Sequence, residues 1–165
     1  MFNTTLKQFQ KELGSKNATP GGGVVAALAG SFAASLVEMV CNLTIDKLGY
    51  EKVQKNVIKI HKESLEFKKK FERLAEEDKK AFDKVLSSYK TKDKELIKKS
   101  LRYAIEVPME VRRLAIETEK LAFHIGKIGN KNAYSDAKTA IHLAHAASKS
   151  ALENIKINKV ALKRL

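Results

Sequence analysis

The sequence predicts an all-α fold: an antiparallel helical bundle with a buried Ala/Gly-rich central helix and two long amphipathic helices. Three observations predict it. Leu, Ala, Lys and Glu dominate the composition, which favours helix, and only two prolines and eight glycines occur. Apolar residues recur at spacings of three and four over long segments. No run alternates polar and apolar with period two. A chain of 165 residues with 44% apolar content is long enough to bury a core, and is read as a single domain spanning 1–165.

The elements follow in order. In "NTTLKQFQKELG", Leu6, Phe9 and Leu13 share a face, Asn3 or Thr4 stands as the cap and Gly14 as the stop. "SKNATPGG" is a loop. From about Gly23 to Ile45 the one charge is Glu38. A helix apolar on all sides is buried by its neighbours or spans a membrane. Its Ala, Gly and Ser content, and the amphipathic helices around it, favour burial. Ala26, Gly30 and Ala34, with Ala27, Ser31 and Ser35, form small-residue stripes that admit a neighbouring helix closely.

From Gly49 onward Tyr50, Val53, Val57, Ile60, Phe67, Phe71, Leu74, Ala81 and Val85 continue a heptad-like seam. Ser64 and Asp78 interrupt it. A carboxylate on an apolar seam is costly unless paired or hydrogen-bonded. Asp78 therefore marks a solvent-reaching level, a structural ion pair, or a functional carboxylate. A second long helix starts at about Asp93, and Pro108 on its seam is expected to kink or end it. "GKIGNKNAYSD" reads as a loop. A final helix from about Ser135 turns Ala137, Ala140, Ala144, Ala147 and Ala151 inward. Asn154 and Asn158 continue that seam and need partners.

The net charge of +13 raises the question of nucleic acid. The lysines, however, are interleaved with glutamates and aromatics along helical faces, and no recognition motif accompanies them. Nucleic acid and membrane partners are not expected. The single cysteine, Cys41, excludes an internal disulfide and a cysteine zinc site, and reads as an inert buried thiol. With no basic-then-apolar leader pattern, a cytoplasmic setting is expected. His142 and His145 lack a carboxylate companion at metal-binding spacing, so they read as surface or packing residues. "PGGG" fits neither a Walker phosphate loop nor a dinucleotide fingerprint. It is either a tight turn needing positive φ or a helix start opened so that a flat ligand reaches its backbone N–H groups.

Six blocks, "NATPGGGVVAALAG", "MVCNLTI", "EEDKKAFDKVLSSYK", "EVPMEV", "GNKNAYSDAKTA" and "ALENIKIN", together resemble the formiminotransferase-cyclodeaminase family over essentially the whole chain. They are similar to its cyclodeaminase domain and to stand-alone methenyltetrahydrofolate cyclohydrolases. Val24 stands where the family pattern usually has Ser.

The resemblance implies a helical homodimer acting on one-carbon units of tetrahydrofolate, with no metal and no cofactor beyond that carrier. It implies hydrolysis of 5,10-methenyltetrahydrofolate to 10-formyltetrahydrofolate. The alternatives are cyclodeamination of formiminotetrahydrofolate with release of ammonia, or a catalytically silent folate-binding or scaffolding bundle. Asp78 and Asp136 are the implied catalytic carboxylates, expected to reach one cleft. Asn17, Pro20, Gly21, Gly22, Gly23, Asn42, Asn130, Asn132 and Ser135 are the implied substrate contacts, and either Ser135 or Asp136 is an N-cap candidate. The basic surface suits a polyglutamylated folate.

Overall fold

In the computed structural model, which describes residues 4–165, the chain forms five α-helices, and no strand occurs among the described residues. Helix α1 (Leu6–Leu13) is capped by Thr5, whose hydroxyl accepts from the Gln8 N–H at 3.2 Å, and it stops at Gly14. The cap is thus neither expected residue: Thr4 precedes it, and Asn3 lies outside the described residues. Helix α2 (Gly22–Asn42) is the central helix. Helix α3 (Gln54–Thr91) follows a 3-10 turn at Glu51–Val53. Lys92, in the left-handed region at φ 59°, ends α3. Asp93 then caps helix α4 (Lys94–Ile128), its carboxylate accepting from the N–H groups of Glu95 and Leu96. A 3-10 turn at Lys131–Ala133 leads into helix α5 (Tyr134–Lys163). The loop expected over "GKIGNKNAYSD" is therefore much shorter, because both flanking helices extend into it.

Helix α2 lies between α3 and α5, with α4 across the core from it. The N-terminal half of α2 is buried with Phe71, Leu74, Leu114, Ala147 and Ala151. Its C-terminal half is buried with Val57, Ile125, Ala137 and Ala140. The small-residue stripes do what their size permits: a Cβ on Gly30 would enter the ring of Phe71, so the glycine is the socket for that side chain. Helix α2 is long and apolar enough to cross a membrane, but 56% of its most apolar window is buried against the other helices. Glu38, its one charge, pairs with Lys68 of α3 at 2.5 Å.

Pro108 does not end α4, which runs continuously through it. Proline has no N–H to give the carbonyl four residues back, here Ala104. Asn158 of α5 supplies the missing donor: its Nδ2 donates to the Ala104 carbonyl at 2.7 Å. Two oddities of the sequence, a proline and an asparagine on apolar seams, are one interaction.

Candidate functional site

The N-terminus of α2 is built from the glycine run. Thr19–Pro20 is a cis peptide, Pro20 is buried, and Gly21 precedes the helix with φ −134°. None of Gly21, Gly22 and Gly23 has positive φ, so a tight turn does not explain them. Asp78 does explain one. A Cβ on Gly23 would overlap the Asp78 carboxylate, whereas a Cβ on Gly21 or Gly22 would meet nothing closer than 3.5 Å. The carboxylate accepts from the Val24 N–H, capping α2 from another helix where Gly21 has no side chain to do so. The N–H groups of Gly22 and Gly23 have no partner among the described residues and remain available at the positive end of the helix.

Asp78 is half-buried and forms no ion pair among the described residues. Of the three readings open at the sequence level, the structural ion pair is thereby removed. Burial pushes its carboxyl up from the ordinary 3.8 to about 6, against the opposing pull of the Val24 N–H. A carboxyl with that value is largely ionised at neutral pH, yet basic enough to accept a proton. Val24 is fully buried in the core, so this chain offers its backbone, not its side chain, at the site. Asn154 of α5 stands beside Gly22, its Nδ2 3.9 Å from where a Cβ would be, and Asn17 lies exposed in the loop before Pro20.

The other polar residues gather at the opposite end of α2. The Thr44 hydroxyl donates to the Val40 carbonyl at 2.7 Å and accepts from the Asn130 N–H at 2.9 Å. The Asn130 side chain donates to the Leu43 carbonyl and accepts from the Asn132 N–H. Asn130 is buried and its amide is committed to this clamp, so its part is to position the turn. Thr44 is a residue sequence reasoning does not single out, since its long-range bond has no local signature. Asn42, Asn132 and Ser135 are exposed around the clamp. Asp136 lies in the first turn of α5 and is half-buried; Ala133 holds the cap position, so neither Ser135 nor Asp136 caps the helix.

Asp78 and Asp136, expected to reach one cleft, therefore stand apart within one chain. Asn154 marks the level of Asp78, and Asp136 precedes it on α5 by 18 residues, about 27 Å of helix. A cavity of about 770 Å³ is elsewhere again, between α3 and α4 near Lys84, Ser87, Lys99 and Tyr103. Asp83 and Ser87 of that cavity lie five and nine residues beyond Asp78, about 140° and 180° around α3 from it, so the cavity opens on the other side of the helix. Among the described residues no three His, Cys, Asp or Glu side chains are grouped to hold a metal. His145 is exposed beside Glu119.

The sequence profile of the formiminotransferase-cyclodeaminase family matches residues 5–164. The chain belongs to that family. It is 35% identical to a methenyltetrahydrofolate cyclohydrolase of Methylorubrum extorquens, over 97% of this chain and 81% of that protein. A formimidoyltransferase-cyclodeaminase of Mus musculus is 23% identical, and there the matching region is 31% of the relative's length. The crystal structure of a formiminotetrahydrofolate cyclodeaminase from Thermotoga maritima superposes with a TM-score of 0.92 at 34% identity, covering 97% of this chain and 80% of that one. As a family member the chain has the all-helical fold expected from its periodicity.

Proposed function

We propose that this family member is a folate one-carbon enzyme, working as a homodimer, that hydrolyses 5,10-methenyltetrahydrofolate to 10-formyltetrahydrofolate. The observation that carries the reading is Asp78: an unpaired, half-buried carboxylate set against Gly23 at the open N-terminus of an apolar helix. The similarity to a cyclohydrolase over nearly the full length of both chains supports the choice of reaction.

The substrate's methenyl carbon bridges two nitrogens and carries positive charge. Ionised Asp78 faces that charge and takes a proton from water as its oxygen bonds to the carbon. The tetrahedral adduct then collapses: the bond from carbon to one ring nitrogen breaks, that nitrogen takes up a proton, and the formyl group stays on the other. One water is consumed and one proton released overall. The unpartnered N–H groups of Gly22 and Gly23 are positioned to receive a carbonyl or carboxylate of the folate. In this reading the chain's own residues and the tetrahydrofolate carrier suffice, in the cytoplasm, without a metal.

The test is the absorbance loss of 5,10-methenyltetrahydrofolate against the buffer rate, which is itself not zero. Acceleration that disappears in Asp78→Asn supports the proposal. Ammonia release from formiminotetrahydrofolate, without methenyl hydrolysis, would place the chain with the cyclodeaminases. Folate binding without either turnover would leave a silent binding bundle.

A further inference from the structure

Arg112 of α4 is an exception in this fold. Its Nε is buried, and among the described residues it is the one buried side-chain nitrogen or oxygen with no hydrogen-bond partner. The guanidinium as a whole forms no ion pair among the described residues. A guanidinium is always charged, and a buried donor without an acceptor is unfavourable.

The sequence explains why Arg112 is left over. Ion-pairing neighbours on a helix stand three or four residues away. For Arg112 these are Pro108, Met109, Ala115 and Ile116, and none carries a carboxylate. Glu110, close by in sequence, is committed to Arg113: the Arg113 Nε donates to Oε2 at 2.8 Å and its Nη2 donates to Oε1 at 2.6 Å. That two-pronged contact is the geometry in which a guanidinium and a carboxylate fit best. Arg112 has the same two donors and no carboxylate of its own chain to receive them.

Arg112 lines a groove of about 510 Å³ between α4 and α5. Met109 and Ile116, about 40–60° around α4 from Arg112, and Ile155 of α5 form its apolar walls. Glu106 and Glu110, about 120–160° around α4, form its far edge. The groove therefore runs from a cation, over an apolar strip, to an acidic rim. Its volume is that of a site for a small organic molecule, not for a bare ion. The acidic rim repels a second negative group, so a phosphate dianion or a dicarboxylate is disfavoured.

We propose that this groove is a second ligand site, taking a molecule with one carboxylate on an apolar body, the carboxylate held by the Nε and Nη donors of Arg112. It lies on another face of α5 from the folate site: Ile155 is about 100° around that helix from Asn154, which stands beside Gly22. The inference does not rest on the folate reading.

The probe is 4-phenylbutyrate, with affinity read by calorimetry and the Arg112 Nε–H resonance followed by NMR. Binding should saturate, and that resonance should move downfield as a charged hydrogen bond forms. Neutral 4-phenylbutanamide and inorganic phosphate should each bind about tenfold more weakly or worse. Arg112→Lys keeps the charge without the two-pronged geometry and should also lose about tenfold. Arg112→Met, with no donor to satisfy, should melt no lower than wild type without probe, and the probe should raise the Tm of wild type alone. An Nε–H resonance that stays put through the millimolar range overturns the site, and that measurement needs no variant. An amide that binds as well as the acid also overturns it. Phosphate binding more tightly than the carboxylate overturns the ligand class. A lowered Tm of probe-free Arg112→Met gives the guanidinium a structural task and overturns its need for a ligand. The KM for 5,10-methenyltetrahydrofolate should be unchanged in Arg112→Lys; a raised KM overturns the separate ligand and assigns the groove to the glutamate end of the substrate. The binding measurements use no folate, so they stand whether or not the folate reading does.

Discussion

Gly23 and Asp78 occupy one volume, and that pair makes the most direct predictions at the scale of the residue. Gly23→Ala places a methyl where the carboxylate sits, so it should lower turnover by displacing Asp78 and should lose the pH dependence that this carboxyl sets, whereas Gly22→Ala meets no protein atom closer than 3.9 Å and should leave Asp78 and its pH dependence in place. The pH–rate profiles of the two variants distinguish displacement of Asp78 from a general need for glycine. The acid–base behaviour has a definite sign. Folded Asp78 has a pKa near 6 against an ordinary 3.8, so folding takes up a proton between these values. Its ionisation burdens the folded state, by nothing below about pH 4 and by on the order of 2–3 kcal/mol above pH 6. Asp78→Asn keeps the shape and can still accept from Val24. It should melt like wild type in acid and at higher temperature near pH 8, while losing about 10²-fold or more in turnover, the scale of a lost general base. Wild-type activity should rise through about pH 6 and the variant's should not.

At the scale of the element, α4 and α5 are locked by the donor that Asn158 lends to the carbonyl freed by Pro108. Asn158→Ala leaves that carbonyl without its partner and should cost about 1–3 kcal/mol. In a Pro108→Ala background the residue at 108 regains its N–H, the helix can close its own bond, and the same Asn158→Ala change should cost much less. A double-mutant cycle from denaturant midpoints measures the coupling; equal losses in both backgrounds would show that Asn158 acts elsewhere. Asp136, by contrast, caps nothing. Asp136→Asn removes only a favourable charge in the first turn of α5, worth about 0.3–1 kcal/mol, so a large fall in turnover in a variant that melts nearly normally would be a functional effect.

At the scale of the molecule the excess of 13 positive charges has no internal use evident in the fold. Most of the ion pairs are exposed and local, such as Lys98–Glu95, Lys120–Glu117 and Lys156–Glu153, and contribute little stability. The surplus lysines face solvent, where they attract anions over about 8–10 Å at moderate salt. Polyglutamylated folate should therefore bind more tightly than the monoglutamate at low ionic strength, and added salt should erase the difference. Equal affinities at low salt would assign the lysines to solubility.

The sequence by itself determined the helical class, the order of the helices, the burial of the Gly/Ala-rich segment and the family, because each is written in local spacing or in contiguous blocks. It also marked Asp78, since a carboxylate on a heptad seam is anomalous wherever the seam leads. Periodicity reports which face of a helix is buried but not what stands opposite at a given level. Only the tertiary structure decided that Gly23, and not its neighbours, is required by a carboxylate 55 residues away. The same holds for Asn158, which answers a proline's carbonyl across 54 residues, and for Asn130, which clamps Thr44 across 86. The separation of Asp78 from Asp136 belongs to this class too. Two carboxylates that neighbouring helices make plausible partners lie at opposite ends of α2, because helices packed side by side share a face while their axial register is set by turns and caps far from either residue.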